Sequence, residues 1–170
     1  MAILNSGHFR SPAGQIHLLA SEQGLTAVYF DAQEEAMSRR FPVARRGDFG
    51  RNPWLLRAEA FLSCYFAGDL YFAPEIPLDL HGTPFQRTVW EQLPRIEPGE
   101  TSSYGQVAQW AGKPKASRAV GAAIGRNPLS ILIPCHRAVG AAGQLTGYAG
   151  GLEVKRFLLD HESRHRGQAA

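Results

Sequence analysis

At 170 residues with 44 % hydrophobic side chains, the chain can bury a core and reads as one or two small globular domains rather than a disordered segment. Met1 to Arg10 lacks the apolar run of a secretory signal, and no stretch approaches membrane-spanning length. Its two cysteines, Cys64 and Cys135, make neither a disulfide framework nor a thiolate zinc site, so a cytoplasmic protein with reduced thiols and no metal is expected. The net charge of +3 and the pI near 9.1 name no partner, but Thr101 to Leu152 holds no Asp or Glu and carries +5 from Lys113, Lys115, Arg118, Arg126 and Arg137, leaving −2 for the rest. Such a local field suits a polyanion, and it equally describes a solvated basic face.

Three short segments open the chain, Asn5 to Arg10, Gln15 to Ala20 and Leu25 to Phe30, separated by Ser11-Pro12-Ala13-Gly14 and Ser21-Glu22-Gln23-Gly24, and they predict an antiparallel meander. Ala32 to Asn52, with the pairs Arg39-Arg40 and Arg45-Arg46, shows little periodicity and predicts at most a helical piece within loop. Asn52-Pro53 is a cap followed by a first-turn proline, and Leu55, Leu56, Phe61, Leu62 and Tyr65 repeat at helical spacing up to Gly68, with Cys64 as packing. Tyr71 to His81, patternless and carrying Pro74 and Pro77, reads as a crossing, which divides the chain into residues 1–80 and 81–170.

Beyond it, Gly82-Thr83-Pro84 caps a helix marked by Phe85, Val89, Trp90 and Leu93. Ser103 and Gln106 make a capping-box pattern for a short helix through Val107 and Trp110, stopped by Gly112. After the turn Lys113-Pro114-Lys115, Ala116, Ala119, Val120, Ala123 and Ile124 mark a second, basic helix. That is the pattern of a DNA-binding helix-turn-helix, shared with helix hairpins that bind nothing. The apolar run Leu129 to Ile133 predicts a buried strand delivering Pro134-Cys135-His136-Arg137; a glycine-punctuated loop follows, then a closing helix over Leu152 to Glu162 and a frayed tail from Arg164.

Cys135 is the candidate nucleophile. A free thiol with a pKa near 8.5 is only a few per cent thiolate at neutral pH, so it needs a neighbouring base or positive group. His136 can accept a proton directly or through water, and Arg137 can lend positive charge. A buried structural cysteine beside a core histidine has the same sequence, so adjacency alone does not establish catalysis.

The run Asn127-Pro128, Ile131 to Arg137, Gly147-Tyr148, Gly150-Gly151-Leu152, Lys155 and Glu162, extended back through Tyr104, Val107, Ala108, Gly112, Ala116, Arg118, Ala119, Val120 and Gly121, strongly resembles the O6-alkylguanine-DNA alkyltransferases, or methylated-DNA-protein-cysteine methyltransferases. The match covers nearly the whole second part, while the first 80 residues fit the family in length and strand content only. The resemblance implies an α+β protein with an N-terminal ribonuclease H-like α/β domain containing antiparallel strands. Its C-terminal domain would be a mainly helical winged helix-turn-helix.

It further implies direct reversal of O6-methylguanine, and of O4-methylthymine, by irreversible single-turnover transfer to Cys135, without a cofactor and by a monomer on double-stranded DNA. In that scheme His136 takes the thiol proton through water, Glu162 orients and charges His136, and Asn127 stabilises the turn carrying the cysteine. Tyr104 hydrogen-bonds the purine and helps neutralise it as it leaves, and Tyr148 walls the base pocket. Arg118 fills the gap left by a flipped base, with Ala116, Ala119 and Gly121 small enough for close approach in the minor groove. Ala149 departs from relatives that place a serine there against the guanine oxygen, and no cysteine cluster matches the N-terminal zinc of others. The residues alone leave three alternatives: a damage-binding protein that does not react, a major-groove regulator and a cysteine hydrolase.

Overall fold

The computed structural model describes residues 4–42, 44–45 and 52–168, with 44–45 as backbone only. Three strands, β1 (Leu4–Ser11), β2 (Gly14–Ala20) and β3 (Leu25–Phe30), form the expected antiparallel meander. A short β4 (Ala44–Arg45), not anticipated, pairs parallel to β1 and completes the order β3-β2-β1-β4. The helical piece is α1 (Glu34–Arg40), which follows a 3-10 turn over Asp31–Gln33. Arg46 and the rest of 46–51 in that stretch, with residue 43, lie outside the described residues.

Strand alternation sorts the sheet's faces. Ile16, Leu18 and Ala20 of β2 are buried in the main core, with Leu55, Ala58, Leu62 and Tyr65 of α2 (Pro53–Phe66). Leu19 faces the opposite way, into a second cluster with Ala27, Tyr29, Met37 and Phe41. Asn52 starts α2 as expected, its Oδ1 accepting from Trp54 N at 2.9 Å and Leu55 N at 3.2 Å, a cap that stabilises by about 1 kcal/mol.

Every residue of β3 is buried, because its free edge is covered twice by later chain. The crossing segment docks where Leu25 N donates to Pro77 O and Asp79 N to Leu25 O. A Cβ on Gly24 would lie 2.3 Å from Pro77 O, so only glycine permits that approach. Further along, Val28 N donates to Pro128 O and Ser130 N to Val28 O, which fastens the turn before Cys135 to the N-terminal sheet.

The second part comprises α3 (Pro84–Trp90), a 3-10 turn at Leu93–Arg95, β5 (Ser102–Ser103), α4 (Tyr104–Trp110), α5 (Ser117–Ile124), a 3-10 turn at Cys135–Arg137, β6 (Ala138–Val139) and α6 (Leu152–His165). Thr83 and Gln86 form a reciprocal capping box on α3. The expected box on α4 is half made: Ser103 Oγ accepts from Gln106 N, but the Gln106 side chain turns to Gln109. Trp90 Nε1 donates to Ala123 O at 2.7 Å, locking α3 to α5.

Two expectations fail here. Leu129 to Ile133 is not a strand: beyond the bridge at Leu129 it is a buried turn, because side-chain hydrogen bonds from Asn127 replace a ladder partner. The closing helix continues past Glu162 through His165, so Arg164 is helical; residues 169–170 lie outside the described residues. One hydrophobic core runs from β2, β3 and α2 through Trp90, Val107, Val120 and Leu129 to Leu158. Among the described residues no helix is long and apolar enough to cross a membrane.

Candidate active site

The turn carrying Cys135 is built by Asn127. Its Oδ1 accepts from Leu129 N at 3.0 Å, and its Nδ2 donates to Ile133 O at 2.8 Å and Leu129 O at 3.5 Å. Between these anchors Ile131 takes φ 72°, a left-handed conformation that costs a β-branched residue about 1–2 kcal/mol. Cys135 N donates to Ile133 O at 2.7 Å, and the 3-10 turn over Cys135–Arg137 leads into β6. Pairing of β6 with β5 then sets Tyr104, the first residue of α4, beside the same site.

Cys135 is 6 % exposed at the base of a cavity of about 30 Å³ lined by Gln33, Tyr104, Gly121, Asn127, Tyr148 and Ala149, among others. Four expected site residues, Tyr104, Gly121, Asn127 and Tyr148, therefore meet Cys135 around one space. Burial pushes the Cys135 thiol up from its ordinary value, opposed by the neighbouring Asn127 amide, the charge of Lys155 and the Tyr148 hydroxyl. The Tyr148 hydroxyl is itself buried and lies close to Cys135 and Ser130 without reaching hydrogen-bond geometry with either.

His136 and Glu162 form the second half of the site, both fully buried. His136 Nε2 lies 2.7 Å from Glu162 Oε1. With Glu162 ionised, that contact requires the proton on Nε2, which leaves Nδ1 of the neutral ring as an acceptor; Nδ1 is buried and has no partner among the described residues. Burial pushes His136 below the ordinary imidazole value, and the Glu162 charge only partly restores it. Burial alone would raise the Glu162 carboxyl, but His136 and Arg137 outweigh it and hold it well below the carboxylate range.

The sequence reading left much of this cluster unassigned. Arg137 does not lend its charge to the thiol: Nε donates to Glu162 Oε2 at 2.9 Å, Nη2 to Oε1 at 2.9 Å, and Nη1 to Ile96 O at 2.7 Å. Tyr65 on α2 donates its hydroxyl to Oε1 at 2.8 Å, and Gly99 N donates to Oε2 at 3.2 Å. Lys155, fully enclosed, donates to Ala138 O at 2.6 Å and Thr146 O at 3.4 Å, while Tyr104 OH also donates to Thr146 O, at 2.9 Å. Lys155 and Glu162, seven residues apart on one face of α6 with Leu158 between, are charges on an apolar stripe, and that was a legible signal. Tyr65 gave none beyond being an aromatic on α2's buried face.

Arg118 and Ala119 stand exposed on the first turn of α5 and Ala116 at its cap, away from the thiol's cavity. Among the described residues no three His, Cys, Asp or Glu gather to hold a metal ion.

Two family models account for nearly the whole chain: 6-O-methylguanine DNA methyltransferase, ribonuclease-like domain, matches residues 6–85, and its DNA binding domain matches residues 84–164. The chain belongs to the 6-O-methylguanine DNA methyltransferase family. It is 54 % identical over 158 residues to the methylated-DNA–protein-cysteine methyltransferase of Mycobacterium bovis, 91 % of this chain and 92 % of that one. A relative of the same name from Methanosarcina acetivorans is 44 % identical over 154 residues, covering 91 % and 95 %. The crystal structure of Mycobacterium tuberculosis O6-methylguanine methyltransferase superposes with a TM-score of 0.79 at 40 % identity, over 97 % of this chain and 94 % of that one. Mycobacterium tuberculosis OGT in complex with DNA superposes at 0.80, 40 % identity, over 95 % and 94 %. The fold is thus an N-terminal ribonuclease-like domain with a C-terminal domain of the family's DNA-binding type.

Proposed function

We propose that this protein repairs alkylated DNA by direct reversal, with Cys135 accepting the alkyl group from O6 of guanine, and from O4 of thymine, once per molecule. The observation that carries this reading is a buried thiol facing a cavity, followed in the chain by an imidazole whose outer nitrogen is held by an ionised carboxylate and whose inner nitrogen has no partner among the described residues. The pair compensates for the burial that keeps Cys135 protonated. His136 Nδ1 takes the thiol proton through water, and Glu162 and Arg137 hold the ring in the tautomer that allows it. Sγ then attacks the alkyl carbon in line: the S–C bond forms, the C–O6 bond breaks, its electron pair goes to the purine oxygen, and the purine regains one proton to leave as guanine. The thioether has no easy leaving group, so each chain reacts once.

A base cannot reach Cys135 from within the stack; flipping it out costs about a few kcal/mol. The cavity has room for no more than a water or two, so Gly147-Tyr148-Ala149 must move outward as the base enters. Arg118, exposed on α5, fills the vacated stack, and the small side chains of half-buried Ala116 and exposed Ala119 permit that helix to approach a minor groove. Tyr104 and Asn127 act as a purine-side donor and as the scaffold of the turn. We place the domain boundary near residue 80, in the crossing segment. The monomer is the acting unit, since one chain supplies every group named, and the cytoplasm is its place, since Cys135 must stay a thiol.

Incubation with duplex DNA containing O6-methylguanine should add one methyl mass to the peptide bearing Cys135. Cys135→Ala should abolish transfer while keeping a preference for alkylated over normal duplex. Unmodified peptide after complete binding would reject the reading.

A further inference from the structure

The polar side chains around Cys135 are mostly bonded within the protein or enclosed by it. Asn127 spends its amide on the turn, and Tyr104 donates to Thr146 O. The Tyr148 hydroxyl makes no hydrogen bond but is enclosed beside Ser130 and the thiol. Gln33 is the exception, and the one lining residue supplied by the chain before residue 80. It is 7 % exposed, in the 3-10 turn after β3, and reaches the site because Val28 of that strand is bonded to the Cys135 turn. Its Oε1 accepts from Phe30 N at 3.1 Å, which turns Nε2 the other way, and Nε2 has no partner among the described residues. Gln33 lines both the thiol's cavity and the adjoining groove of about 540 Å³ between α1 and the end of α5.

Transfer to Cys135 creates a demand at one atom. As Sγ–C forms and C–O6 breaks, the bond's electron pair settles on O6, and a donor already aimed at that oxygen lowers the barrier because it need not reorganise. Ala149, which also lines both spaces, offers only a methyl group from its side chain. We infer that Gln33 is a catalytic residue contributed by the N-terminal domain, its carboxamide N–H donating to the exocyclic oxygen of the extruded alkylated base. This rests on the alkyl-transfer reading above. Gln33 moves no proton; the thiol's proton passes to His136, and guanine is completed by one proton as it leaves.

The test compares two electrophiles at Cys135. Iodoacetamide expels iodide and needs no donor at a purine oxygen, so it reports thiol reactivity alone. Gln33→Glu keeps an oxygen for Phe30 N and loses the N–H; Gln33→Met removes both groups at similar volume. With saturating lesion duplex, the ratio of methyl-transfer rate to iodoacetamide rate should fall about 100- to 1000-fold in both variants. An unchanged ratio in either, including a parallel loss in both reactions, would overturn the assignment. Failure of the wild-type protein to transfer would instead strike the alkyl-transfer reading itself.

Discussion

Behind His136, the Glu162 carboxylate receives five donors, from His136, Tyr65, Gly99 and twice from Arg137, all within 3.2 Å. In front of it, His136 Nδ1, the Tyr148 hydroxyl and Gln33 Nε2 have no partner among the described residues. The two regions touch through one imidazole but are built on opposite terms. The rear cluster is paired because an unpaired charge in a dry interior is expensive, whereas the front leaves three polar atoms without a partner within the described chain. Stability should therefore depend on the rear and chemistry on the front, and substitutions can separate the two.

The largest loss of stability is expected from Glu162→Gln, which leaves the buried Arg137 guanidinium without its counter-charge; urea unfolding should show a drop of about 3–5 kcal/mol. The same change should slow transfer more than it weakens DNA binding. Unaltered stability would mean the rear cluster is not the anchor its geometry suggests. Acid should reproduce part of this effect. His136 and Glu162 both have folded values below their ordinary ones, so each contributes fully above its unfolded value, about 6.5 and about 4.3 respectively, and loses that contribution as pH falls through the folded value. Melting temperature should begin to decline below about pH 6.5 and steepen below about 4.3, with the lower step absent in Glu162→Gln.

Two tyrosines give a finer comparison. Tyr65→Phe removes a donor to Glu162 and should cost about 1 kcal/mol, whereas Tyr148→Phe removes a hydroxyl that has no partner and should cost nothing measurable or slightly stabilise. Equal losses would erase the distinction between front and rear. The smallest effect on stability belongs to Arg118→Ala, within about ±0.5 kcal/mol because the side chain is exposed, yet lesion binding and transfer should weaken in titrations against alkylated duplex.

Much of the molecule was legible where chemistry is local. Asn52-Pro53 and Thr83-Pro84 announced their helices, since caps act within one turn of chain. The meander followed from alternation and turn residues, and Cys135, His136 and Glu162 from a specific motif. The apolar run Leu129 to Ile133 misled, because a buried turn stapled by Asn127 and a buried strand bury the same side chains. Arg137 misled for a related reason: adjacency in the chain placed it beside the thiol, while its guanidinium folds back to Glu162, 25 residues away.

What the sequence determined by itself is the meander, the capped helices, the acid-free basic hairpin around Arg118 and the candidate thiol, because each depends on residue type and near neighbours. The tertiary structure alone decided which groups are satisfied. Tyr65 comes from 97 residues away to the carboxylate, and Gln33 reaches the thiol's cavity because β3 is bonded to the Cys135 turn. Whether a buried polar atom is paired depends on contacts between distant segments, and local sequence carries no record of them.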